Sequence, residues 1–97
     1  MKGYLIANVD VRDADAYENY RSRTGAIVER HGGRFLVRGG PIEVLEGDPR
    51  LHRLVIIEVP SVEAAHAFYD SPEYQEIIPF RTSTSDGALC IAHGVEG

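Results

Sequence analysis

The order of the elements that the sequence predicts limits the fold more than any other feature of this chain. The 97 residues read as strand, helix, strand, strand, helix, strand, and few residues lie outside these segments. This βαββαβ order is typical of a split βαβ domain, in which helices cover one face of a four-stranded antiparallel sheet. We therefore predict a single α+β domain over residues 1–97.

The strands are predicted from runs of apolar and alternating residues. They are expected at 4–9, 34–38, 54–59 and 88–92. The third run is the clearest, because β-branched side chains favour strands and a proline ends it. The second run mixes charged and apolar residues, which predicts an edge strand with Phe35 and Val37 on the same side. Between these two strands, the turn chemistry of 42–51 suggests a short hairpin extension of the sheet.

The helices are predicted from capping residues and from apolar side chains at three- and four-residue spacing. Asp13 is expected to cap the first helix, and two glycines end it. Ser61 is expected to cap the second helix, and Ser71 a short third helix, which Pro79 then ends. The segment 82–87 is polar and predicts a loop before the last strand.

The sheet is apolar on both faces, but the helices can cover only one of them. The purely apolar set Val55, Ile57 and Val59 is predicted to meet the helices. The alternate set, Leu54, Ile56 and Glu58, is predicted to meet a second copy of the chain. Without such a partner the sheet would expose an apolar patch of several hundred Å², which soluble monomers rarely tolerate. The sequence therefore predicts a homodimer.

Composition excludes several classes of partner. The formal net charge of −5 disfavours nucleic acid binding, which needs clustered cationic side chains. No segment reads as a membrane span or a signal peptide, and the single cysteine, Cys90, fits a reducing compartment, so we expect a cytoplasmic protein without a membrane partner. The four histidines lack metal-ligand spacing, and no cofactor-binding motif is present, so we expect no metal and no cofactor.

Glu58 is the candidate catalytic residue. A carboxylate inside an apolar strand would have a raised pKa and could serve as a general base. The alternative, which we favour, is that Glu58 lies near the end of the strand and pairs with an arginine.

Five further side chains are candidates for ligand binding. Asn8 could orient a carbonyl group or a water, although a role in the turn that follows is the preferred interpretation. Tyr20 and Tyr69 could line an aromatic cavity, although core packing is the preferred interpretation of their spacing. Arg38 and Arg81 could bind an anionic group, although arginines are ordinarily found at the surface.

Several motifs resemble one family over nearly the whole chain. These are Tyr17 and Tyr20, Gly32-Gly33-Arg34-Phe35, Arg38-Gly39-Gly40, Glu46-Gly47, Arg53, Val55-Ile56-Ile57-Glu58-Val59-Pro60-Ser61, Ala67-Phe68-Tyr69-Asp70-Ser71-Pro72-Glu73-Tyr74 and Arg81. The combination closely resembles the family known as domain of unknown function 1330, with Val59 in place of an expected phenylalanine. The resemblance implies a ferredoxin-like α+β fold of the dimeric α+β barrel group.

The resemblance does not select a chemistry. The dimeric α+β barrel group includes cofactor-independent monooxygenases, muconolactone-isomerase-like enzymes and haem-handling proteins, and a shared fold does not fix function. Our first hypothesis is a homodimer that binds a small organic molecule in an apolar pocket. The alternatives are a cofactor-independent enzyme that acts on an enolisable or phenolic substrate, and a stress or assembly protein that uses the dimer alone.

Overall fold

Four strands and three helices follow one another in the computed structural model, which describes residues 1–96. The elements are β1 (Gly3–Val11), α1 (Ala14–Arg30), β2 (Arg34–Arg38), β3 (Arg53–Val59), α2 (Val62–Asp70), α3 (Pro72–Thr82) and β4 (Ser85–His93). The predicted caps form, since Asp13, Ser61 and Ser71 each accept a hydrogen bond from a backbone N–H in the first turn of the next helix. None of the helices within residues 1–96 is both long and apolar enough to cross a lipid bilayer.

The strands form one antiparallel sheet in the order β2-β3-β1-β4. β1 and β3 are central, and β2 lies at an edge, as the sequence predicts. This arrangement is the expected α+β ferredoxin-like fold.

The core lies between the helices and one face of the sheet, which we call the inner face. Leu5 on β1 pairs with Ile57 on β3, and both are buried beneath Phe68 of α2 and Tyr74 of α3. The set Val55, Ile57 and Val59 therefore faces the helices, as predicted. The alternate residues of the same strands point to the opposite face, which we call the outer face.

β2 contains a β-bulge that changes which side chains reach the inner face. Phe35 pairs with the inner-face residue Ile57, but Val37 pairs with the outer-face residue Ile56, because Leu36 is an extra residue between them. The prediction that Phe35 and Val37 share one side is therefore wrong. The shift also places Arg38 on the inner face.

The end of α3 differs from the prediction. Pro79 lies inside the helix, which continues to Thr82, so the expectation that Pro79 ends it is wrong. The hydroxyl of Thr84 donates to the Phe80 carbonyl at 2.6 Å and that of Ser85 to the Arg81 carbonyl at 2.6 Å. These bonds satisfy carbonyls of the last helical turn. Because α3 ends at Thr82 and β4 begins at Ser85, the prediction of a loop over 82–87 is wrong for most of the segment.

The connection between β2 and β3 is a loop rather than a hairpin extension of the sheet. Residues 42–51 form no strand, which corrects the prediction for this segment. Asn8 of β1 holds the end of the loop from the outer face, because its amide donates to the Arg50 carbonyl at 3.1 Å and accepts from the His52 N–H at 2.8 Å. Asn8 therefore lies inside a strand, and the expectation that it begins a turn is wrong.

Candidate functional site

A cleft lies between the inner face of the sheet, α1 and α3. Its floor includes one row of paired residues that crosses all four strands: Arg38, Val55, Ala7 and Leu89. Aromatic side chains line its wall, namely Tyr17, Tyr20, Phe35, Phe68 and Tyr74. Arg21, Arg53 and Arg81 complete its polar lining together with Thr24.

The cleft is narrow. Its free space is about 470 Å³ when it is counted out to the open mouth, but only about 30 Å³ admits the centre of a water molecule. A ligand larger than a few atoms therefore needs side chains of the lining to move apart.

Arg38 and Arg53 form what we call the basic end of the cleft. Arg38 donates to the Arg21 carbonyl at 2.9 Å, and its guanidinium lies 4.0 Å from the centre of the Phe35 ring. Burial lowers the pKa of Arg38, and the positive charges of Arg21 and Arg53 lower it further. The basic end thus holds cationic groups that repel one another, and the nearby carboxylate of Glu18 offsets only part of this repulsion.

Arg53 is closely packed but incompletely hydrogen-bonded. Its Nε atom is buried and has no hydrogen-bond partner within residues 1–96. Gly39 lies directly against the guanidinium, where any side chain would overlap it. Gly39 also has a φ of 72°, a conformation that glycine adopts without steric cost.

Of the arginines that line the cleft, only Arg21 has a carboxylate partner within residues 1–96. Glu18 is bound to Arg21 by two hydrogen bonds of 2.7 Å, and the Arg21 guanidinium lowers the pKa of Glu18. Within the described part of the chain, no carboxylate forms an ion pair with Arg38, Arg53 or Arg81. The cleft is therefore positively charged, although the chain as a whole carries a charge of −5.

Tyr20, Tyr74 and Arg81 form what we call the hydroxyl end of the cleft. The hydroxyl groups of Tyr20 and Tyr74 lie 2.6 Å apart, and Arg81 donates to the Tyr74 oxygen at 3.3 Å. Burial is the main cause that raises the pKa of both tyrosines. Both phenols therefore keep their protons near neutral pH and act as hydrogen-bond donors rather than as bases.

The structure brings three of the predicted site residues together. Tyr20, Arg38 and Arg81 all line the cleft. Tyr69 is 37% exposed and lines a neighbouring surface groove, which shares Leu5, Arg81 and Leu89 with the cleft. Asn8 lies on the outer face, where the loop occupies both polar atoms of its side chain.

Glu58 also lies on the outer face, away from the cleft. Its carboxylate is 3.2 Å from the Lys2 ammonium and 3.1 Å from Arg34, and it accepts a hydrogen bond of 3.2 Å from Tyr4. The hydrogen bond from Lys2 is the largest influence on its pKa, followed among the favourable contacts by that from Arg34, and the net shift is downward. This pairing is the alternative that the sequence analysis favours, and a lowered pKa is opposite to what a general base needs.

Arg53 is the main cleft residue that the sequence analysis does not select. The sequence does contain a signal for Arg53. It precedes Val55, Ile57 and Val59 at every second position of β3, so its side chain points to the same face of the strand. An arginine on the otherwise apolar face of a strand must lie at the edge of the core or in a cavity.

The fold is shared with solved structures of low sequence identity. A protein of unknown function from Rhodopseudomonas palustris is 23% identical, with a TM-score of 0.74 over 99% of this chain and 84% of that one. SnoaB, a cofactor-independent oxygenase from Streptomyces nogalater, is 15% identical, with a TM-score of 0.66 over 99% and 95%. A protein from Bacteroides fragilis, described as dimeric and of ferredoxin-like fold, is 10% identical, with a TM-score of 0.57 over 96% of each chain.

Sequence comparison places the chain in a family. Among curated proteins, none is detectably similar to it. The family model of a domain of unknown function, DUF1330, matches residues 2–95. Since this match spans nearly the entire sequence and the fold agrees with it, the chain belongs to the DUF1330 family.

Proposed function

We propose that the protein binds a small organic anion in the cleft. The observation that carries this proposal is the meeting of Arg38, Arg53 and Arg81 in one cleft without a carboxylate partner in residues 1–96. Partly buried cations repel one another unless an anion lies between them, so a bound carboxylate would relieve an unfavourable charge arrangement.

The buried Nε atom of Arg53 supports the same proposal. A buried donor without a partner costs about 1–3 kcal/mol. An oxygen atom of a ligand at the basic end would supply the missing acceptor, and guanidinium groups bind carboxylates with strong, charge-assisted hydrogen bonds. The site is thus complementary to an oxyanion.

The remainder of the cleft favours an organic ligand over an inorganic ion. Beyond Arg38, the floor row consists of the aliphatic residues Val55, Ala7 and Leu89, and tyrosine and phenylalanine rings form the wall. Such a lining contributes affinity by burying apolar surface of the ligand. A carboxylate attached to an aromatic or aliphatic body satisfies both parts of the cleft.

A cofactor-independent enzyme is the second candidate, and the likeness of the fold to SnoaB favours it. For proton abstraction, however, the cleft residues are poorly suited, because the pKa values of Tyr20 and Tyr74 are raised and Glu58 lies on the outer face. Binding therefore has the stronger support. A stress or assembly role that uses only the dimer would leave the unpaired arginines of the cleft without a purpose.

We also propose that the protein is a homodimer joined through the outer face. Ile6 pairs there with Ile56, and Leu54 lies two residues before Ile56 on the same face. All three remain partly exposed, and Leu36 is 46% exposed. Burial of this apolar surface against a second copy is favourable. The description of the Bacteroides fragilis protein as dimeric supports a dimer, and the choice of the outer face rests on these exposed residues.

Calorimetric titration with benzoate and benzamide tests the anion proposal. The two molecules have nearly the same shape, but only benzoate is charged. We expect benzoate to bind at least about tenfold more tightly, because charge-assisted hydrogen bonds are worth about 1.5–3 kcal/mol. We expect Arg53→Gln to remove this preference.

Arg12→Gln is the matched control, because Arg12 pairs with Asp86 at the surface outside the cleft. This variant is expected to bind benzoate as the wild type does. Equal affinity for benzoate and benzamide, or undiminished benzoate binding by Arg53→Gln, would contradict the proposal.

A further inference from the structure

The hydrogen bonds around Tyr74 have a fixed direction, because a guanidinium donates and never accepts. Arg81 donates to the Tyr74 oxygen, so the proton of Tyr74 must find its own acceptor. Tyr74 is buried, and the acceptor that residues 1–96 offer to it is the Tyr20 oxygen at 2.6 Å. The chain of donors therefore runs from Arg81 through Tyr74 to Tyr20.

This direction leaves the proton of Tyr20 available to the cleft. If Tyr20 instead donated to Tyr74, the proton of Tyr74 would be buried without an acceptor, at a cost comparable to that of a lost hydrogen bond. Tyr20 is less buried than Tyr74 and lines the cleft, so its hydroxyl can reach a ligand. Burial also raises the pKa of Tyr20, which keeps the proton on the oxygen.

The Tyr17 ring lies beside both polar ends of the cleft. The Arg53 guanidinium is 5.8 Å from the centre of the Tyr17 ring, and the Tyr20 ring centre is 5.5 Å from that of Tyr17. Val55, Ala7 and Leu89 make the middle of the cleft floor aliphatic. A ligand that reaches both ends therefore needs a flat apolar body with polar groups at opposite ends.

We infer that the ligand is an organic acid with a second oxygen acceptor at the end opposite its carboxylate. The carboxylate is bound by Arg38 and Arg53, and the second oxygen accepts a hydrogen bond from Tyr20. Aromatic acids with an acyl group in the para position are the simplest molecules of this class. The inference rests on the proposed function, since it specifies the ligand of the same cleft.

Two probes of the same shape test this inference. 4-Acetylbenzoate has a ketone oxygen where 4-isopropenylbenzoate has a methylene group, and both have the carboxylate. Calorimetric titration of the wild type is expected to show about tenfold tighter binding of the ketone, because one hydrogen bond is worth about 1 kcal/mol and a buried donor left unpaired adds to the difference. This comparison needs no variant and is therefore independent of any effect on folding.

Tyr20→Phe should abolish the preference for the ketone while leaving the affinity for 4-isopropenylbenzoate within about twofold. Tyr4→Phe is the matched control, because the Tyr4 hydroxyl donates to Glu58 on the outer face, and it should keep the preference. Arg53→Gln should lower the binding affinity for both probes by the same factor.

The outcomes separate this inference from the proposed function. Equal binding of the two probes by the wild type, or a preference for the ketone that persists in Tyr20→Phe, overturns the inference and leaves the anion site intact. If neither probe binds while the protein is folded, the proposed function fails and the inference fails with it.

Discussion

The ionisation of Glu58 is controlled by residues that flank it in the sheet. Arg34 and Tyr4 pair directly with Glu58 from the two neighbouring strands, and Lys2 approaches from the start of the chain. The lowered pKa means that the folded state binds the ionised form better than the unfolded state does. Its contribution to stability is therefore present above the ordinary value of 4.5 and is lost as the pH falls through the lowered pKa.

Glu58→Gln should consequently lower the urea midpoint slightly at neutral pH, and the difference from the wild type should disappear as the pH falls below 4.5. The effect is small because Lys2 and Arg34 are largely exposed. Glu43→Gln, an exposed carboxylate in the loop, should show no such pH-dependent difference. A Glu58→Gln deficit that increases at acid pH would contradict the assignment.

Individual residues differ in how far the sequence can place them. An arginine partner for Glu58 is predictable, since a carboxylate in a strand needs a cation across the sheet. The position of Arg38 is not, because one extra residue in β2 reverses its side and no local pattern announces the bulge. Arg38 and Arg53 come together because the register of β2 against β3 brings residues that are distant in sequence side by side.

At the scale of the elements, hydroxyl groups determine where α3 ends. Thr84→Val should destabilise the protein by about 1–2 kcal/mol, because it removes the buried hydroxyl that donates to the Phe80 carbonyl. Chemical denaturation measures this change. Thr82→Val is the matched control, since the Thr82 hydroxyl is exposed and its hydrogen bond is long, at 3.5 Å, so its loss should cost less than about 0.5 kcal/mol. Equal effects of the two substitutions would show that the hydroxyl of Thr84 does not hold the helix end.

The same hydroxyl groups explain why the sequence predicts this region incorrectly. Serine and threonine are typical of loops because they bond to nearby backbone groups, and here the backbone groups they bond to belong to a helix. Pro79 removes one N–H and its ring crowds the carbonyl four residues earlier, yet the helix continues for three residues beyond it. By contrast, the starts of the helices are predicted correctly because N-capping is a local interaction.

At the scale of the whole molecule, the element order and the alternation of apolar residues suffice to predict the fold and the covered face. The cleft is less accessible to such reasoning, because it is bounded by α1, α3 and four strands whose side chains meet only in three dimensions. Tyr17 and Tyr20 show the difficulty, since spacing on a helix identifies a buried face but not whether that face lines a core or a cavity.

The outer face supports the last prediction, which concerns assembly. We expect light scattering to give a mass of twice 10.7 kDa at micromolar concentration, because Ile6, Leu54 and Ile56 form a contiguous apolar surface on a small domain. Ile56→Lys should shift the mass to that of one chain while the far-ultraviolet circular dichroism is preserved, since a lysine stem can lie along the sheet with its ammonium in water. Ala67→Lys, on the exposed side of α2, should remain dimeric. A monomeric wild type, or an Ile56→Lys variant that keeps the doubled mass, would show that the outer face is not where two copies meet.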